Sequence, residues 1–437
     1  MIQPQTGSAP ARSEAGPLIP PQYVVPFVLV TALFFLWGIP NNLNDILIRQ
    51  FMKSFEITRL RAGLIQSAFY LGYFLLAIPA ALVMRRFGYK TGLVTGLLLY
   101  STGTLLFWPA AIAGQYGFFL FALFVIASGL AFLETGANPF VAQLGDPATA
   151  ARRLNLAQAF NPLGSISGVL IGTVFIFSGV ELHPAQVNAM KAAGTYAGYL
   201  RHETMRVIAP YLVIGAVAFL WAMLIVRTKF PDIRGGGTDS DEEHGHWWEL
   251  MRYPHFVLAV IAQFLYVGAQ VGTWSYFIQY VQDYTHQPEK VAGYFLTGTL
   301  AAFGIGRFSA AWLMKFFRPN IMMGIYGLIN VALVAVGVLL PGWIGLWAIF
   351  LTSFFMSVMF PTIFALGLKG LGRNTKLGGS MIVMGIIGGA VLTPVMGWIS
   401  VSTGSMAMAM LAPLACYLFV AYYSFLGSHV RGEGAAA

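Results

Sequence analysis

The chain of 437 residues is 57% hydrophobic and 15% aromatic but only 9% charged. Soluble domains carry about 25% charged residues, so a water-soluble enzyme and a disordered chain are excluded, and with Cys416 as the single cysteine so is a disulfide scaffold. The net charge of +9 reads as orientation across a bilayer rather than affinity for nucleic acid, because cationic loops decide which side stays inside.

Residues 1–22 form a Pro-rich polar tail without the short apolar core of a signal peptide. A helix crosses the bilayer core with about 20 apolar residues. That window predicts twelve spans, at 23–48, 62–84, 92–112, 116–143, 154–180, 207–227, 255–283, 291–314, 321–340, 343–368, 378–401 and 405–427. The fold class is therefore an all-α membrane protein of twelve transmembrane helices. Between spans six and seven, residues 228–254 carry Gly235-Gly236-Gly237 and an acidic run, and read as a cytoplasmic linker. It separates a six-helix bundle at 23–227 from a second at 255–427, leaving 428–437 as a C-terminal tail. With the N-terminus inside, most Lys and Arg fall on the inner side, so both termini are expected in the cytoplasm.

The two bundles read as copies. Ala80-Ala81-x-x-Met84-Arg85-x-Phe87 closes span two, as Ala310-Ala311-x-x-Met314-Lys315-x-Phe317 closes span eight. Pro139-x-x-x-x-Leu144-Gly145 likewise matches Pro361-x-x-x-x-Leu366-Gly367. Such repeats place a substrate site near the midplane between the halves, as in secondary transporters. In span five, Gly164, Gly168 and Gly172 predict close approach of a neighbouring helix.

Asp45 in span one and Glu134 in span four are the two acids inside the membrane. A carboxylate in hydrocarbon costs several kcal/mol and persists when it faces a polar cavity, pairs with another group or binds a proton. Glu134 has no Lys or Arg within two helical turns, and Arg49, one turn after Asp45, falls beyond the expected span end at 48, so both are proton-coupling candidates. Asp45 is expected near the outer end of its span, whereas Glu134 lies 18 residues into span four, roughly 27 Å along the helix. A hydrogen-bonded structural acid is the other reading, most of all for Asp45.

Amides collect beside both acids. Asn42 accompanies Asn41 and Asn44 in span one, Asn138 follows Glu134 by one turn, and Gln158 and Asn161 share a face of span five. Amides donate and accept, which suits a polyhydroxylated ligand; bonding between helices is their other use in membranes. In span seven, Gln263, Tyr266, Gln270 and Trp274 form a polar-aromatic stripe that would meet a sugar's hydroxyls and C–H face. Arg307 is the remaining intramembrane charge, a gate candidate in span eight. No metal-ligand cluster and no P-loop is visible, so neither a metal centre nor an ATP-driven pump is expected.

Several motifs carry a resemblance. Asn41-Asn42-Leu43-Asn44-Asp45, Ala62-Gly63-Leu64-Ile65-Gln66-Ser67-Ala68-Phe69-Tyr70, Leu133-Glu134-Thr135-Gly136-Ala137-Asn138-Pro139 and Asn155-Leu156-Ala157-Gln158-Ala159-Phe160-Asn161 resemble the fucose/glucose–galactose proton symporter family of the major facilitator superfamily. The likeness extends over about residues 23–427, and Gly388-Gly389 with Thr393-Pro394-Val395-Met396-Gly397 looks most like its L-fucose branch. It implies two pseudo-symmetric six-helix bundles working by alternating access. It also implies import of a neutral monosaccharide, L-fucose or a related hexose such as galactose or glucose, with protons on Asp45 and Glu134. A monomer in the bacterial cytoplasmic membrane is implied, with the proton as coupling ion and no cofactor. One departure is Pro40, where a small non-proline residue is expected and a bend in span one would follow. The residues by themselves leave open a major facilitator transporter of another small solute (amino sugar, drug or organic anion) and a non-transporting sugar sensor.

Overall fold

Inside a bilayer no water bonds the backbone, so each apolar run closes its hydrogen bonds within a helix. The computed structural model describes residues 18–146, 150–231, 247–314, 316–371 and 374–429. Most of the expected tails (1–22 and 428–437) and much of the linker (228–254) lie outside these residues.

All twelve expected spans fall on helices. Span one is Val24–Ser54. Spans two and three run through Arg59–Leu105 with a break at Gly88, whose φ of 83° suits glycine. Span four is Tyr116–Gln143, span five runs from Ala150–Gln158 through Phe160–Ile171 to Gly172–Ile176, and span six is Ile208–Arg227. In the second half, Pro254–Thr285, Glu289–Leu313 and Pro319–Leu339 are spans seven to nine. Trp343–Met356 continued by Met359–Leu368 is span ten, and Thr375–Met384 continued by Gly388–Thr403 is span eleven. Met406–Ala409 with Leu411–Tyr422 forms span twelve.

Two differences from the expected elements bear on the site. Span one continues six residues beyond 48, to Ser54, because Arg49 and Lys53 find acidic partners there in Glu181, Glu203 and Glu289. The segment between spans five and six holds two further helices, Pro184–Ala192 and Tyr196–Met205. The first starts on Pro184 behind a capping box in which the Gln186 side chain accepts from the His183 backbone at 2.9 Å.

The halves repeat one packing scheme. Span one packs on span five as span seven packs on span eleven, and spans eight and nine meet ten and twelve as the two-three helix meets four and six. Between halves, span two meets eleven, span eight meets five, and span one meets seven.

Glycine and proline explain how closely these helices sit. A Cβ on Gly164 would strike the Phe35 carbonyl oxygen and one on Gly168 that of Ile39, so the expected close neighbour of span five is span one. Pro40 does not interrupt span one. Its missing N–H frees the Leu36 carbonyl, and the Tyr100 hydroxyl donates to that oxygen at 3.1 Å. Pro394 in span eleven frees the Ala390 carbonyl in the same way, and Ser67 of the opposite half donates to it at 2.6 Å.

Candidate functional site

Two contiguous cavities lie between the halves. One, of about 200 Å³, is bordered by Trp37, Asn41, Glu134, Asn138 and Gln158. The other, about 170 Å³, reaches Asn42, Asp45, Gln66, Gln270 and Trp274. Tyr70, Asn161 and Arg307 border both.

Span four brings in Glu134, half-exposed to the cavity. One turn on, the Asn138 amide donates to the Glu134 backbone oxygen at 2.9 Å, and its own oxygen accepts from Gln158 at 3.0 Å. The Glu134 carboxylate itself has no hydrogen-bond or ion-pair partner among the described residues. Asn161 donates to the Phe34 carbonyl at 3.2 Å, which pins span five to span one.

Asp45 is held differently. It is 2% exposed, and its carboxylate accepts from Asn42 at 3.2 Å, Gln66 at 2.9 Å and Ser275 at 2.9 Å. All three donors are neutral, and among the described residues the acid has no salt bridge. Because span one ends at Ser54, Asp45 sits nine residues inside it, roughly 14 Å of helix. Glu134 likewise stands nine residues before Gln143, the end of span four. The helix therefore carries Asp45 nine residues from its end, rather than the three that an end at 48 would leave.

The span-seven stripe divides. Gln270 borders the cavity. Trp274 does too, its indole N–H donating to Ser353 at 3.0 Å and its ring edge-on to Phe303 at 5.2 Å. Gln263 and Tyr266 do not border either cavity. Both are 0% exposed, Gln263 under Gly385 of span eleven and Tyr266 near the Phe360 ring. The close crossing of span eleven covers that turn, as the Gly388 contact with the Phe264 carbonyl shows. Arg307 stands in the cavity wall with its guanidinium 4.9 Å from the Phe303 ring centre.

Sequence reasoning passed over Trp37, Tyr70, Tyr73 and Ser275. Tyr73 donates to Asn41 at 3.3 Å, and Tyr70 and Tyr73 border the Glu134 cavity. Their spacing of three on span two was a usable signal. Ser275 had none, since serine is common in membrane helices.

At the end expected outside, the halves are tied together. Lys53 bridges to Glu289 at 3.1 Å, Arg59 pairs with Asp283 and donates to Ser400 at 2.7 Å, and Tyr276 donates to the Arg59 carbonyl at 2.7 Å. Exposure grades along the cavities, from Gln66 at 1% and Asp45 at 2% to the exposed Gln158 and Arg307.

The Major Facilitator Superfamily profile matches residues 27–376. The chain is 45% identical to the L-fucose-proton symporter of Escherichia coli over 91% of its length and 92% of that protein. It is 35% identical to a glucose/galactose transporter of Brucella abortus, over 91% and 93%. A solved Major Facilitator Superfamily transporter, FucP, in the outward conformation, aligns at a TM-score of 0.69 with 43% identity, covering 94% of this chain and all of that one. A multi-pass, twelve-helix membrane protein with this match belongs to the Major Facilitator Superfamily.

Proposed function

We propose that the protein imports a neutral monosaccharide, L-fucose or a related hexose such as galactose or glucose, by proton symport through alternating access. The observation that carries this reading is the bare Glu134 carboxylate in a cavity walled by Asn41, Asn138, Gln158 and Asn161. Amides bond vicinal hydroxyls, Trp37 and Trp274 border the cavities where apolar C–H groups would lie, and a carboxylate without a cation takes up a proton rather than remain charged beside bound sugar. The names of the fucose and glucose/galactose relatives support the same substrate class.

In this reading the structure is the inward-facing state. Closure at the Lys53 and Arg59 end, with exposure at Gln158, supports it. Sugar and proton load from outside, the outer ends close, and loss of the proton from Glu134 to the cytoplasm frees the sugar. Asp45, higher in the pathway, carries or gates the proton. Arg307 gates the inner path, and the protein works as a monomer in the bacterial cytoplasmic membrane with both termini inside.

The test is uptake of L-fucose, galactose and glucose into proteoliposomes under an imposed proton gradient, with external pH recorded. Sugar-linked alkalinisation is expected, and Glu134→Gln should abolish uphill accumulation while exchange continues. Full accumulation by that variant refutes the coupling role. A second reading, transport of an organic anion, draws on Arg307 bordering both cavities; competition by a uronate but not by the neutral sugars would favour it.

A further inference from the structure

Asp45, Gln66 and Ser275 form a closed ring of hydrogen bonds. Gln66 Nε2 donates to Asp45 Oδ1 and to Ser275 Oγ, both at 2.9 Å, and the Ser275 hydroxyl donates to the same Asp45 oxygen at 2.9 Å. The direction of each bond is set by its neighbours. Because Ser275 Oγ already accepts from the amide, its one proton is left for the carboxylate. Exposure of the three residues is 2%, 1% and 0%.

Every side chain bonded to Asp45 gives a hydrogen and none takes one. This arrangement suits the ionised acid, which is acceptor-only. A protonated Asp45 carries one O–H that needs an acceptor. Gln66 Oε1 is buried without a partner among the described residues and belongs to the same amide. Turning that amide over would offer the oxygen to the acid's O–H and withdraw Nε2 from Ser275. The ring thus has two hydrogen-bond patterns, one for each charge of Asp45.

Ser275 is on span seven, whereas Asp45 and Gln66 are on spans one and two. Tyr70 and Arg307 border the same cavity as Asp45, and neither is bonded to it. We infer that Ser275, with Gln66, is the positioning residue that ties the charge of Asp45 to closure between the halves. In the closed outer state the serine of one half bonds the acid of the other. Protonation rearranges the ring and weakens that tie. This rests on the reading of Asp45 as a proton-carrying or gating acid.

The experiment compares wild type, Ser275→Ala, Ser275→Thr, Asp45→Asn and the Asp45→Asn/Ser275→Ala double variant in proteoliposomes with L-fucose. Uphill accumulation under a proton gradient and counterflow without one are measured on each. Ser275→Ala should lower accumulation roughly tenfold more than counterflow, the scale of one hydrogen bond to a charged group. Ser275→Thr should restore it, and Ser275→Ala should add nothing in the Asp45→Asn background. Gln66→Met, which removes both amide donors, should reproduce the split and serves if Ser275→Ala does not fold. Wild-type accumulation by Ser275→Ala while Asp45→Asn fails overturns this inference alone. Equal loss of both activities, or an undiminished effect in the Asp45→Asn background, also overturns it. Sugar movement without protons by the wild type overturns the symport reading and this inference with it.

Discussion

Lys53 holds Glu289 of the opposite half at 3.1 Å and Glu203 of its own half at 3.2 Å on the same ammonium. Glu289 is 0% and Glu203 2% exposed. One cation therefore serves two buried acids, one on each side of the interface. Parting the halves at this end would separate Lys53 from Glu289 but leave it Glu203, so the lysine would not be stranded in a medium where an unpaired charge is costly.

The two acids are accordingly expected to act in opposite directions. Glu289→Gln weakens the tie across the interface and should favour opening at this end by about 2 kcal/mol. Glu203→Gln leaves Glu289 as the remaining partner of Lys53 and makes opening harder. Alkylation of a cysteine placed at Met52, which touches Gln279 of the other half at 3.5 Å, should accelerate in the first and slow in the second. Changes of the same sign would refute the arrangement.

Removing the cation is a harsher change. Lys53→Met leaves two buried carboxylates without their shared counter-ion, at a cost of about 3–5 kcal/mol. A lowered thermal midpoint in detergent is expected, with most of it recovered in Lys53→Met/Glu203→Gln/Glu289→Gln. A triple variant no more stable than the single one would contradict this.

The Tyr100–Leu36 bond exists because Pro40 lacks an N–H. Tyr100→Phe should cost about 1–2 kcal/mol by leaving a buried carbonyl unbonded. In a Pro40→Ala background the helix supplies its own donor, and the same change should cost little. Thermal unfolding of the four proteins gives the coupling directly.

Trp274 and Gln263 lie on the same helix with different consequences. Trp274→Ala, which removes a cavity wall, should raise the sugar KM about tenfold or more. Gln263→Met should leave KM unchanged and be neutral or stabilising, because neither polar side-chain atom of this buried amide has a partner among the described residues. A tenfold KM rise in Gln263→Met would return that residue to the binding surface.

Much of this architecture was legible in the chain because its causes are local. Apolar runs near 20 residues must be helices in hydrocarbon, so twelve spans could be counted from hydropathy. An acid in such a run needs a reason, so Asp45 and Glu134 stood out against a background of low charge. The end of span one at Ser54 is not legible in sequence, because Arg49 and Lys53 resemble a helix terminus until their partners Glu181, Glu203 and Glu289 are brought to them. The burial of the lower half of the span-seven stripe is hidden from sequence for a related reason. Periodicity gives a face of a helix, and it does not say which turn of that face span eleven covers.

Sequence alone thus determined the membrane class, the number of spans, the duplicated halves and the two acids with their amide neighbours, all of which follow from short-range patterns. Tertiary structure alone decided that Asp45 is bonded while Glu134 is bare, that Gln263 and Tyr266 are covered, and that Lys53 joins the halves. The physical reason is distance along the chain. Ser275 reaches Asp45 across 230 residues and Lys53 reaches Glu289 across 236. Such pairings come from how helices pack, with glycines such as Gly164 and Gly388 setting how near they approach.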